Sequence, residues 1–149
     1  MAISSAICSS FKQELLQGKH SLDTSGNGGD TFKLAMYTSS ASLGATTTAY
    51  STSQEISGSG YSAGGTALTN TGVGLNSTTA FTDFSDISFT SASFTANGCL
   101  IYNTTTAGGS GTTNAVCVIA FGGDKTVSSG TFTIQFPTND SSSAIIRLT

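Results

Sequence analysis

The chain reads as all-β: an antiparallel β-sandwich, expected to be jelly-roll-like, behind a short N-terminal arm and helix. Three observations predict this. Thr131-Phe-Thr-Ile-Gln-Phe136 alternates strictly, with Phe132, Ile134 and Phe136 on one face and Thr131, Thr133 and Gln135 on the other; period-2 alternation is a strand with one buried face and one wet face. Ala115-Val-Cys-Val-Ile-Ala-Phe121 is an apolar run of strand length without polar alternates, as in a central strand covered on both faces. Such runs recur at roughly 8–15-residue spacing between clusters of turn formers, about seven or eight in all. Jelly-roll and immunoglobulin-like sandwiches share this pattern, so strand order stays open. No internal repeat is present, which disfavours propellers and solenoids.

The elements follow in chain order. Residues 1–20 are read as the arm and helix, and 21–149 as a single sandwich domain. Met1 to Cys8 is expected to be a mobile or partner-bound arm. Ser9-Ser-Phe-Lys-Gln-Glu-Leu-Leu-Gln-Gly18 predicts a helix, with Ser9 or Ser10 as cap and Gly18 as stop. Phe11, Leu15 and Leu16 form its apolar face, and so short a helix needs something to dock on, its own sheet or a neighbouring subunit. Asp23 to Asp30 is a loop, and Thr31-Phe-Lys-Leu-Ala-Met-Tyr37 a strand with Phe32, Leu34 and Met36 inward. Thr38 to Gly65 is long, small and polar, with Leu43, Tyr50, Ile56 and Tyr61 as isolated apolar anchors and a helical turn expected within Thr46–Glu55. Its glycine-rich end, Gly58 to Gly65, reads as a turn needing positive φ angles.

Thr66–Leu75 and Thr78–Phe84 are two weak strands with a turn at Asn76-Ser77. Ile87-Ser-Phe89 alternates again, and Phe94–Tyr102 is a strand in which Asn97-Gly98 marks a turn or a bulge. Asn103 to Asn114 joins it to Ala115–Phe121 as a hairpin. Gly122-Gly-Asp-Lys-Thr-Val-Ser-Ser-Gly130 reads as the loop of a second hairpin, between Ala115–Phe121 and Thr131–Phe136. Ala144-Ile-Ile-Arg-Leu148 is the last strand.

Composition bounds the function. The chain has 149 residues, 37% of them apolar, including nine Phe and four Tyr, enough to bury a core in one domain. Charged residues make up only 9%, and Ser and Thr number 25 each; hydroxyls suit the outer faces of short strands. Five basic residues, Lys12, Lys19, Lys33, Lys125 and Arg147, are scattered in a chain of net charge −3. A nucleic-acid groove needs clustered cations, so no nucleic-acid or anionic-membrane partner is expected. No run reaches the roughly 18 apolar residues of a membrane span, and Met1–Ser10 has no basic n-region. Three cysteines, without C-x-x-C, point to free thiols in a reducing compartment, with Cys99 and Cys117 as small buried hydrophobes.

Chemistry is thinly represented. The single histidine, His20, follows the helix and is expected to cap it or face solvent. Asp83 and Asp86 flank a turn, where Asp accepts backbone hydrogen bonds, and no Trp is present to stack on sugar. Asp23-Thr-Ser-Gly-Asn-Gly28 copies the first half of a calcium loop, but the twelfth position is Leu34 instead of Glu. A turn with at most weak Ca²⁺ affinity is the expectation. No catalytic, cofactor-binding or metal-ligating residue is assigned.

Several segments together carry a resemblance: Phe11-Lys-Gln-Glu-Leu-Leu16 with Gly18 and His20; Gly29-Asp-Thr-Phe-Lys-Leu-Ala-Met-Tyr-Thr-Ser-Ser40; Leu43-Gly-Ala45 through Tyr50; and Glu55-Ile-Ser-Gly-Ser-Gly-Tyr-Ser-Ala-Gly-Gly65. Asn97-Gly-Cys-Leu-Ile-Tyr-Asn103, Gly123-Asp-Lys-Thr-Val127 and Phe132-Thr-Ile-Gln-Phe-Pro137 complete it. Over nearly its whole length the chain resembles a group of small structural proteins of tailed bacteriophages. Its shared motifs are structural, not catalytic. The resemblance implies a virion protein made in the host cytoplasm: a capsid decoration (cement) protein on the major capsid protein, or else a tail or fibre accessory protein whose long loops meet the host. It implies no enzyme and no cofactor. A homotrimer is the expected form, with Ile3, Ile7, Phe11, Leu15, Leu16, Tyr50 and Tyr61 as expected partner contacts.

Overall fold

The computed structural model describes residues 2–24, 28–105 and 111–149. The fold is all-β and sandwich-like, with one short helix. In chain order the elements are β1 (Ala6–Ile7), α1 (Ser9–Leu16), β2 (Phe32–Tyr37), β3 (Thr66–Ala67), β4 (Asn70–Asn76), β5 (Thr79–Phe84), β6 (Ile87–Asn103), β7 (Asn114–Ile134) and β8 (Ile146–Leu148). They form two antiparallel sheets, a five-stranded one in the order β1-β7-β6-β2-β3 and a three-stranded one in the order β4-β5-β8.

The core lies where apolar runs stack in register. Leu34, Ile101 and Cys117 stand side by side across β2, β6 and β7, as do Ala35, Leu100 and Val118. All six are buried. Phe32 packs on Phe84 at 5.8 Å between ring centroids, joining the two sheets. These central strands are covered on both faces, which is why their sequences lack polar alternates.

The second expected hairpin is corrected. Ala115–Phe121 and Thr131–Ile134 are parts of one 21-residue strand, β7, paired throughout with the 17-residue β6. Gly98 opposes Ala120 while Ala96 opposes Lys125, so Phe121, Gly122, Gly123 and Asp124 all face Asn97 alone. Gly122 and Gly123 adopt φ of +73° and +133°, and Asn97 Nδ2 donates to Asp124 Oδ1 at 2.8 Å. The glycines that read as a loop are a wide bulge, with the same residue chemistry. Further register shifts fuse Ile87–Phe89 and Phe94–Tyr102 into β6. Ser91 and Ser129, each at φ +49°, absorb two of them.

The N-terminal arm is also corrected: it is stitched to its own sheet. Ala6 and Ile7 pair with Val118 and Cys117, Ser4 N–H donates to Leu43 O at 2.9 Å, and Ala120 N–H to Ser5 Oγ at 2.9 Å. The helix starts without the expected serine cap. Cys8 holds the cap position without a side-chain capping bond; its N–H donates to Val116 O at 2.9 Å and that of Ser9 to Ala45 O at 2.8 Å. Neighbouring backbone thus satisfies part of what a cap would. Phe11 is buried beneath the helix, so α1 docks on its own sheet.

Asp83 clamps the C-terminal strand. It is fully buried, its Oδ1 accepting from Phe84 N–H at 2.8 Å and its Oδ2 from Ile145 N–H at 3.1 Å. Burial holds its carboxyl above the ordinary value of 3.8, outweighing these donors. A raised folded pKa means a stabilising contribution complete below pH 3.8 and lost as pH rises through the raised value. The stability of the wild type relative to Asp83→Asn is therefore expected to fall as pH rises from 3.8, in urea unfolding across that range. A difference that stays flat contradicts this. Asp83→Ala, which orphans both N–H groups, is expected to cost about 1–3 kcal/mol below pH 3.8, where the wild-type contribution is complete.

Candidate functional site

Residues 38–65 cover one face of the five-stranded sheet, and one carboxylate organises them. Glu55 Oε1 accepts from the Tyr61 hydroxyl at 2.6 Å and from Gly64 N–H at 2.7 Å, while Oε2 accepts from the Tyr50 hydroxyl at 2.7 Å. These are short, charge-assisted bonds. Tyr61 oxygen also accepts from Met36 N–H at 2.9 Å. Tyr102 donates to Gly64 O and Tyr37 to Ser51 O, both at 2.7 Å, and the Tyr50 and Tyr102 rings stack at 4.6 Å. All four tyrosines of the chain thus hold this segment. Burial first, then the bond to Glu55, pushes the Tyr50 and Tyr61 hydroxyls well above their ordinary pKa. Gly65 closes the segment at φ +75°, where a Cβ would collide with the Leu34 carbonyl. The helical turn expected within Thr46–Glu55 is absent; hydrogen-bonded turns such as Thr47 N–H to Gly44 O stand there instead.

A second polar cluster lies under α1. His20 is buried, contrary to the expected capping or exposed role. Its Nε2 meets Glu14 Oε2 at 2.7 Å and its Nδ1 meets Asn103 Nδ2 at 2.9 Å. Asn103 Oδ1 accepts from Thr105 N–H and its amide group donates to Asp30 Oδ2 at 2.6 Å. That orientation makes Nδ1 the acceptor and Nε2 the proton carrier. Asn114 Nδ2 donates to Glu14 Oε1 at 2.9 Å. The imidazole therefore ties helix, loop and hairpin together, with both nitrogens occupied.

The remaining carboxylates are similarly engaged. Asp86 accepts from Phe136 N–H at 2.7 Å, Asp124 from Asn97, and Asp140 from Ser142 and Ser143 N–H. Those two donors hold the Asp140 carboxyl below its usual range. Cys8, Cys99 and Cys117 are free and buried; burial pushes the Cys8 thiol up to about 11 and raises the other two. Among the described residues no three His, Cys, Asp or Glu gather closely enough to hold a metal ion. The calcium-like loop falls partly outside the described residues, at positions 25–27.

What the molecule does offer is apolar surface. Leu75 lies across from Ala80, which lies across from Leu148, and Val73 follows on the same face of the three-stranded sheet. Val73, Leu75 and Leu148 are 59%, 72% and 51% exposed. Leu15 and Leu22 border this stripe around a hollow of about 270 Å³. A larger groove, about 560 Å³, runs along β7 past Phe121, Phe132, Ile134 and Phe136, with Lys125 at its rim.

Of the residues expected to contact a partner, Phe11 belongs to the chain's own core, and Ile3 and Ile7 pack against it. Tyr50 and Tyr61 turn inward to Glu55. Leu15 borders the stripe, and Leu16 projects into solvent at 92% exposure. The stripe itself was missed in the sequence because Val73 and Leu75 alternate with Gly72 and Gly74, so no polar alternate marks the strand's two faces. Comparison with protein-family models, characterised proteins and solved structures finds no match.

Glu55→Ala is expected to leave two phenolic hydroxyls and one amide short of a partner, costing about 2–4 kcal/mol in chemical unfolding. Tyrosine titration in Glu55→Gln is expected to begin at lower pH than in the wild type. Identical titration curves contradict the assigned role.

Proposed function

We propose that the chain is a virion structural protein, a capsid decoration (cement) protein that binds the outer surface of the major capsid protein and stabilises the head, acting as a homotrimer without catalysis. The resemblance to small phage structural proteins supplies the class. The observation that carries the reading in this fold is the stripe of Val73, Leu75, Ala80 and Leu148, an exposed apolar row free of charge. Apolar rows of this kind mark protein–protein contacts. In a chain of net charge −3, an uncharged patch is where like-charged copies meet with least repulsion. Gathered about a threefold axis, the stripes of three copies close a trimer, and the rest of the surface is left for the capsid. The polar clusters support the same reading, because Glu55 and His20 spend their hydrogen bonds on holding the scaffold together.

Leu75→Asp is expected to convert the oligomer to monomer in light scattering while leaving the melting temperature within about 3 °C, since the side chain is exposed; an unchanged oligomer contradicts the stripe's role. Immunogold labelling of intact particles tests the function. Label over the whole head is the expected result, and label confined to the tail overturns the decoration reading in favour of a tail accessory protein.

A further inference from the structure

We propose that the β7 groove is the capsid-docking site and that it takes an extended segment of the partner presenting an apolar anchor beside a carboxylate. This rests on the decoration reading for the partner's identity; the chemistry comes from the groove.

The hollow of about 560 Å³ falls in the size range of built binding sites. It continues into a second hollow of about 320 Å³ that shares Ile119 and Ile145 with it and ends at Ala6 and Ile7. Two hollows joined end to end suit an extended segment better than a compact ligand. The walls are Phe121, Phe132, Ile134 and Phe136, all half-buried. They are already packed from behind, Phe132 on Phe94 at 5.1 Å and Phe136 on Phe84 at 6.0 Å, so an incoming side chain meets a fixed surface.

The occupant does not add as a regular strand to the open edge of β7. The bulge at Phe121–Asp124 and the positive φ at Gly122, Gly123 and Ser129 break that edge, a device that blocks strand addition. Docking is by side chains.

Lys125 sets the charge of the partner. It lies at the rim of an otherwise uncharged groove, and among the described residues no carboxylate is in contact with its ammonium. Nor does a second copy readily supply one. Glu14, Asp30, Glu55, Asp83, Asp86, Asp124 and Asp140 each accept internal hydrogen bonds, and Asp23 also has an internal interaction. With the chain's own carboxylates already engaged internally, the carboxylate that meets Lys125 is assigned to the capsid partner, and contact with a second copy is the outcome the test separates from it.

The test is co-sedimentation of the purified chain with phage heads assembled without it, comparing wild type, Lys125→Glu, Lys125→Arg and Phe121→Ser, each first shown folded by thermal melting. Lys125→Glu and Phe121→Ser are expected to weaken binding at least about tenfold, while Lys125→Arg retains it. Wild-type binding is expected to weaken between about 50 and 500 mM salt, as a partly exposed charge contact does. Wild type that binds heads while Lys125→Glu and Phe121→Ser bind equally well overturns the groove and leaves the decoration reading standing. Wild type that does not bind heads overturns both. A change in oligomeric mass caused by Lys125→Glu without heads makes the groove a copy-to-copy contact and also overturns the proposal.

Discussion

Three donors converge on the Glu55 carboxylate, and the covering of one sheet face depends on them. Residues 38–65 contribute no strand longer than an isolated bridge. Their backbone has few ladder bonds to hold it, and their side chains are mostly too small to anchor it by burial. A loop this long is stable only if something specific ties it down. Here two phenols and an amide share one half-buried carboxylate, and Tyr37 and Tyr102 reach out from the sheet to the same segment. Withdrawing a carboxylate even partly from water is unfavourable unless its lone pairs are filled. With three donors it becomes the fixed point around which the segment folds.

The His20 cluster does the same for the other end of the chain. Glu14 on α1, Asp30 before β2, and Asn103 and Asn114 at the ends of β6 and β7 meet around one imidazole. A protein with 9% charged residues uses nearly all its carboxylates as internal hydrogen-bond acceptors. The apolar stripe and the groove with its single lysine are the surface features that stand out.

Much of the fold was legible because periodicity reports burial directly. Phe32–Tyr37, the helix at Ser9–Leu16 and the antiparallel pairing of Phe94–Tyr102 with Ala115–Phe121 follow from apolar spacing. The β7 bulge was not legible as such: Gly122 and Gly123 carry the same signal in a turn as in a wide bulge, and only the pairing of Ala96 with Lys125 and of Gly98 with Ala120 distinguishes them. The docked arm was hidden for a related reason. Ala6 and Ile7 are too few to show a period, and their partners on β7 are more than a hundred residues away.

The surfaces were harder to read than the fold. Tyr50 and Tyr61 stood out as isolated aromatics in a polar stretch, which marks an anchor but does not say whether it points inward or outward. Glu55, which decides the matter, carries no local signal. Residues 38–65 are held as a fixed part of the scaffold, and amide hydrogen exchange measures that most directly. Thr38, Ile56 and Gly64, whose N–H groups donate to Gln54 O, Met36 O and Glu55, are expected to exchange with protection close to that of β2. Fast exchange across 38–65 beside a protected β2 would contradict it.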